Sequence, residues 1–307
     1  MVKVMLDMDP GVDDAVALIL ALNSQVEIVA LSTVSGNVSA MMGAVNALRI
    51  CDALGRSIRV IKGLSRKGYR RSRHAVEVHG RDGLGDAGIG MEGGKVWSRS
   101  RVPASSDPIR EIADILGSYR RREVTLLCTA PLTNIAALLE SHEDASRCID
   151  RIFVMGGAYD LDAAQGNVTR YAEFNFYTDA GAADRVMASD ARVVACGLEL
   201  TSRRDCSVDA SMLERIRAIG SRHALLAASI LQNPVLRCSH FNLHDVFALA
   251  ALLRPEIFAM RHARVRIETS RVRRGMCITE YRDDGNVSIC HDVDAERFIG
   301  FLLDGLR

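Results

Sequence analysis

The chain has 307 residues, 48% apolar and 25% charged, with a formal net charge of +1. Those are the values of a globular protein with a large core, and so balanced a charge implies no nucleic-acid partner. No stretch reaches the roughly 18 uncharged apolar residues that a membrane helix needs, and the N-terminus enters a strand pattern without a charged leader, which points to the cytoplasm.

In chain order, residues 2–6 read as a buried strand, 14–22 as a helix, 26–34 as a second strand and 40–54 as a second helix. A strand at 124–129 leads into a helix from 132 to about 140. Residues 151–155 read as a strand, 180–188 as a helix and 193–196 as a strand. Beyond 208 the pattern is mainly helical up to a strand at 263–267. Two short strands at 277–281 and 287–290 and a closing helix from 294 follow. This rhythm predicts an α/β fold: a single domain over residues 1–307 with a mostly parallel central sheet flanked by helices.

Two stretches break the rhythm. Residues 63–94 are rich in Gly and Arg, and residues 222–242 mix a helix with a Pro-containing loop. Long irregular connections at the carboxyl ends of parallel strands are often lids or specificity loops. Gly83-x-Gly85-x-x-Gly88 matches a dinucleotide-binding string. No apolar strand precedes it and no apolar helix follows, so it reads as a loop. The eight cysteines show no CxxC spacing and read as reduced, partly buried thiols rather than a zinc or redox site.

The most informative segment is Asp7-Met8-Asp9-Pro10-Gly11-Val12-Asp13-Asp14. Asp7 and Asp9, two apart at a strand end, are expected on one face. Pro10-Gly11 turns the chain, and Asp13 and Asp14 open a helix, where the dipole favours carboxylates. Like charges about 4 Å apart repel by roughly 4 kcal/mol at an effective dielectric of 20. The acids must therefore be partly protonated or gathered around a cation, and all-oxygen ligands select calcium or magnesium. An EF-hand fails, because the position that needs a bidentate Glu is Leu18. An aspartate-nucleophile phosphatase and a non-catalytic metal-binding protein stay open as alternatives.

Asp7-x-Asp9-Pro-Gly-x-Asp13-Asp14 resembles the signature of the inosine-uridine-preferring nucleoside hydrolase family, and further segments match in the family's order. They are Thr33-Val-Ser-Gly36-Asn37-Val, Val78-His79-Gly80 with Asp82-Gly-Leu, and Thr129-Ala-Pro-Leu-Thr133-Asn134. Met155-Gly-Gly-Ala, Gly166-Asn167, Ala172-Glu173-Phe174-Asn175 and His244-Asp245 complete the set, which spans nearly the whole chain. The resemblance implies calcium-dependent hydrolysis of a ribonucleoside to ribose and free base in nucleoside salvage, by a homodimer or homotetramer.

By that resemblance Asp9 is the general base and a calcium ligand, joined by Asp14, Asp245 and the main-chain carbonyl of Thr129. Asp7 would orient the ligands from behind. Asp13 would accept a hydrogen bond from a ribose hydroxyl, and Asn167, Glu173 and Asn175 would hold the ribose. Met155 would pack on the sugar, and Asn37 would support Asp9 or the sugar. The ion would orient water and the sugar diol, and direct attack by water implies inversion at C1′. His79 and His244 are the candidates to protonate the leaving base, with His244 favoured because it adjoins Asp245. A relative that binds a nucleoside or calcium without turnover is the other reading.

The sequence departs from the family at the base. Trp97, the single tryptophan, lies outside the matching segments, which argues against the subtype that stacks purines between tryptophans. The helix before His244 carries no tyrosine, and Phe241 is the nearby aromatic. Residues 67–73 are strongly basic and read as a solvated charge run, and residues 160–165 look like an insertion at the pocket rim.

Overall fold

The computed structural model describes residues 1–65, 73–89, 102–103, 105–160 and 165–307. Trp97 and residues 67–72 and 161–164 of those two stretches lie outside them. Strand β1 (Val2–Met8) turns into helix α1 (Val12–Asn23), and β2 (Val26–Thr33) leads to α2 (Ala40–Ala53). Next come β3 (Val60–Lys62), α3 (Arg73–His79), α4 (Pro108–Gly117) and β4 (Val124–Cys128). Helices α5 (Thr133–Ser141) and α6 (Glu143–Ser146) precede β5 (Ile149–Met155). Then follow α7 (Phe174–Thr178), α8 (Ala180–Met187), β6 (Val193–Cys196) and α9 (Leu198–Thr201). A ribbon of β7 (Val208–Asp209) and β8 (His240–Phe241) brackets α10 (Ala210–Ile219) and α11 (Arg222–Cys238). The chain closes with α12 (His244–Leu253), β9 (Phe258–Ile267), β10 (Cys277–Tyr281), β11 (Val287–Val293) and α13 (Ala295–Gly305).

The strands form a nine-stranded sheet in the order β10-β9-β11-β6-β5-β4-β1-β2-β3. Strand β9 is antiparallel to both its neighbours, and the other pairings are parallel, as the sequence rhythm predicts. The run β3-β2-β1-β4-β5-β6 reverses direction between β1 and β4, and ligands bind such sheets outside the strand carboxyl ends at that reversal. Alternation along β1 splits its side chains between two cores. Val4, Leu6 and Met8 join one with α1, α11 and α12, whereas Met5 joins another with α5 and α8.

Three expectations need correction. Strand β3 was not anticipated, because three residues are too few to show a period. Helix α4 was not anticipated either, although Asp107 caps it, Pro108 opens it and Ile109, Ile112, Ala113 and Leu116 form its apolar stripe. The third concerns residues 222–242, where α11 runs unbroken through Pro234 to Cys238 instead of giving way to a loop. Proline has no N–H for the carbonyl of Ile230, one turn back. Gly85 lies against that carbonyl so closely that a Cβ there would stand 2.2 Å from its oxygen, and Asn233 Nδ2 donates to the Gly85 carbonyl at 2.7 Å. The glycine-rich string therefore docks a loop on a helix, which needs close approach and a positive φ of 70° rather than a dinucleotide.

Candidate active site

Strand β1 stops at Met8, so the alternation that would put Asp7 and Asp9 on one face ends between them. Asp7 stays in the sheet, where its Oδ1 accepts hydrogen bonds from Ser32 Oγ and from Asn134 Nδ2 at 2.7 Å. Burial raises its pKa to about 6 against the opposing pull of those two donors. Asp9 turns to the loop after β2. There the Asn37 N–H donates to its Oδ2 and Asn37 Nδ2 reaches its Oδ1 at 3.4 Å. A Cβ on Gly36 would stand 1.9 Å from Asp9 Oδ2, so only glycine lets the loop close over this carboxylate.

Asp14, in the first turn of α1, ties three segments together. Its Oδ1 accepts from Thr129 Oγ1 at 2.7 Å, and its Oδ2 from the Gly11 N–H at 3.1 Å and Asn37 Nδ2 at 3.3 Å. Asp13 and Asp245 are buried as well, yet Asp13 Oδ1 and Asp245 Oδ2 have no hydrogen-bond partner. One carboxylate oxygen from each of Asp13, Asp14 and Asp245 lies within 4.8 Å of the others. Burial drives all four acids upward, Asp13 to about 7 and Asp9 and Asp245 well above the usual carboxylate range. The charges of neighbouring aspartates push Asp9, Asp13 and Asp245 further the same way. Helices α1 and α12 both begin here, and their partial positive ends offset some of that repulsion.

This trio can hold a metal ion. Its donors are all carboxylate oxygens, which suits a hard cation. The trio shares Asp14 and Asp245 with the set expected from sequence and adds Asp13. Asp9 lies directly against Asp14, and the carbonyl of Thr129 accepts from Asn175 Nδ2 at 3.0 Å.

A cavity of about 260 Å³ opens above the trio, enough for one small molecule. Asp13, Asn37, Thr129 and Asp245 line it, with Asp9 and Asp14 buried behind them. Met155, Asn167, Glu173 and Asn175 line it too. Asn175 Nδ2 also donates to the Met155 carbonyl at 3.1 Å, while Asn175 Oδ1 is buried without a partner. Glu173 caps α7. Its Oε1 accepts from the Asn175 N–H at 2.8 Å, and its Oε2 from the N–H groups of Gly157 and Phe176 at 3.0 and 3.1 Å. Even so, burial raises it to about 7. Asn167 is exposed at the rim.

Both histidines line the same cavity. His79 Nδ1 accepts the Val12 N–H at 3.1 Å and stands 3.9 Å from Asp13 Oδ1. An accepting Nδ1 carries no proton, so His79 is neutral in this arrangement, with its proton on Nε2. His244 Nδ1 lies 2.8 Å from Thr201 Oγ1, and burial lowers its pKa to about 4. Sequence reasoning passed over Ser32, which fixes Asp7, and Asn46, whose Nδ2 donates to the carbonyls of Pro10 (3.2 Å) and Asp82 (2.9 Å) and joins the aspartate turn to the His79 loop. Asn134 was visible only as part of a motif, and Asn242, which lines the cavity, carried no motif at all.

Comparison with known proteins agrees with this geometry. The family described as inosine-uridine preferring nucleoside hydrolase matches residues 4–300. The chain is 33% identical to the pyrimidine-specific ribonucleoside hydrolase RihA of Salmonella gallinarum, over 99% of this chain and 98% of that one. It is 35% identical to RihA of Shewanella sp. (strain ANA-3), over 99% and 95%. Among solved structures, the purine-preferring ribonucleoside hydrolase from Gardnerella vaginalis superimposes with a TM-score of 0.88 at 26% identity, over 99% of this chain and 98% of that one.

Proposed function

The chain belongs to the inosine-uridine preferring nucleoside hydrolase family and hydrolyses N-glycosidic bonds, and from that premise we propose that it is a calcium-dependent hydrolase of pyrimidine ribonucleosides. Membership removes the phosphatase alternative. Relatives at 33–35% identity are pyrimidine-specific, which supports that preference over the purine preference of the structural neighbour at 26%. The observation that carries the calcium reading is the buried cluster of carboxylate oxygens from Asp13, Asp14 and Asp245, with an oxygen of Asp245 left bare, beside a cavity of about 260 Å³.

Asp13, Asp14 and Asp245 would hold the calcium ion, with Asp9 and the Thr129 carbonyl at its margin. Bound there, calcium supplies Lewis acidity toward water and an anchor for the sugar diol. Asp9 takes the proton from the attacking water, a task suited to a carboxylate whose proton affinity burial has raised. Asp13 Oδ1 and Asn175 Oδ1, both unpartnered, accept from ribose hydroxyls. Asn167 and Glu173 complete the ribose contacts, and Met155 packs on the sugar. His244 serves the leaving base. Burial keeps it neutral near pH 7, so it donates a hydrogen bond from an imidazole N–H rather than waiting as an imidazolium. His79 holds the start of α1 through the Val12 N–H and so fixes Asp13. Direct attack by water inverts C1′, in contrast to a retaining glycosidase. The same reading makes the protein a cytoplasmic salvage enzyme that works as a homodimer or homotetramer. Among the described residues no helix is long and apolar enough to cross a membrane.

The test is ribose release from uridine, cytidine, inosine and adenosine, in calcium and after chelation. We expect turnover of the two pyrimidine nucleosides, lost in chelator and restored by calcium. Turnover indifferent to chelator rejects the metal. No ribose from any nucleoside leaves the relative that binds without turnover.

A further inference from the structure

Beyond the polar groups that serve ribose and the ion, the cavity lining holds the apolar Ala75, Val78, Phe174 and Phe241, together with Cys238, His240 and the amide of Asn242. Of the last three, the amide alone has a buried polar atom left without a partner. Asn242 lies between β8 and α12, and its Oδ1 is buried with no hydrogen-bond partner. A buried amide oxygen left bare forfeits the hydration it had in the unfolded chain, and such an atom on a cavity wall calls for an explanation, a ligand group being the natural one. The other bare oxygens of the cavity, on Asp13, Asn175 and Asp245, are already matched to the sugar and the ion. The part of a nucleoside still without a partner is its base, whose flat faces are apolar and whose edge alternates donors and acceptors.

We propose that Asn242 reads the edge of the base, while the apolar side chains around it pack on the base's faces. This deepens the hydrolase reading and rests on it. A carboxamide offers one acceptor beside one donor group. Uracil presents N3–H beside a carbonyl, and cytosine presents its exocyclic N–H beside N3, so a single Asn can pair with either. The position also fits a tyrosine-free α11: the base is held at its edge from the short link between β8 and α12.

The experiment compares Asn242→Ala and Asn242→Leu with the parent protein on uridine, cytidine, 5′-deoxyuridine and 4-nitrophenyl riboside. The kcat/KM for both pyrimidine nucleosides should fall about tenfold to a hundredfold, the effect of leaving a polar edge unpaired. Activity on 4-nitrophenyl riboside, which lacks that edge, should stay within about twofold, which also shows that the variants fold. 5′-Deoxyuridine should lose the same factor as uridine. If it is spared, Asn242 holds the 5′-hydroxyl instead. Equal loss on the aryl riboside, or no loss on uridine, overturns the proposal as well. Should the parent protein release no ribose, the hydrolase reading fails separately. Calorimetric binding then decides Asn242, which must weaken uridine and not ribose when replaced by Ala.

Discussion

Glu173 and Asp13 line the same cavity, both are buried, and burial lifts both to about 7, yet they are built for different ends. Three backbone N–H groups reach the two oxygens of Glu173, so its carboxylate is stitched into the start of α7. Asp13 keeps a bare oxygen, and Asp245 facing the same space keeps another. A raised pKa reports burial in both cases. What separates a carboxylate fixed by the backbone from one held open is how many of its lone pairs the fold itself fills.

Breaking the trio should have the largest effect. Asp245→Asn keeps the shape and removes one charge, and kcat/KM on uridine should fall roughly a thousandfold, the scale of several kcal/mol of lost charge stabilisation. In chelator the same variant should melt higher than the parent, because burial makes the folded protein hold a proton on Asp245 that the unfolded chain gives up, and Asn carries no such cost. A lower melting point in scanning calorimetry would mean that the acids already satisfy one another.

The pH dependence sharpens the contrast. Asp13 and Glu173 ionise near 4 in the unfolded chain and at about 7 in the folded one. Folded-state values are raised, so their contribution to stability is full below about pH 4 and is lost as pH rises towards 7. The metal-free protein should therefore lose melting temperature over that window, by roughly 2–4 °C for each kcal/mol. Calcium should return the share that belongs to Asp13 and leave the share of Glu173 untouched. Calorimetry from pH 4 to 8, with calcium and with chelator, reads both. Identical profiles in the two conditions would sink the distinction.

The smallest effect belongs to the satisfied carboxylate. Glu173→Gln turns an acceptor toward the backbone into a donor and should cost about 1–2 kcal/mol in urea unfolding, with a raised KM. That stability loss should be the same with and without calcium. A loss that calcium abolishes would place Glu173 with the ion.

The sheet was legible because its strands are long enough to show their period and alternate with amphipathic helices, whereas β3 was too short and Pro234 suggested a break that Gly85 makes unnecessary. The acids, asparagines and histidines of the site were legible because they sit in contiguous strings at strand ends. Their division of labour was not. Asp7 and Asp9 part because β1 stops between them, and Asp13 enters the trio through the pitch of α1, details that depend on tertiary geometry. Asn242 left no trace, since its signal is an unfilled lone pair, which exists only once the chain is folded.

Helix α1 comes from the first strand-turn-helix unit and α12 from the last third of the chain, yet both begin at one cluster. A ribosome releasing this protein thus delivers two of the three carboxylates early and the third late. Metal ligation by all three would wait until the chain between them has folded, so ion uptake would report that synthesis has passed α12 and that this late helix has met the first.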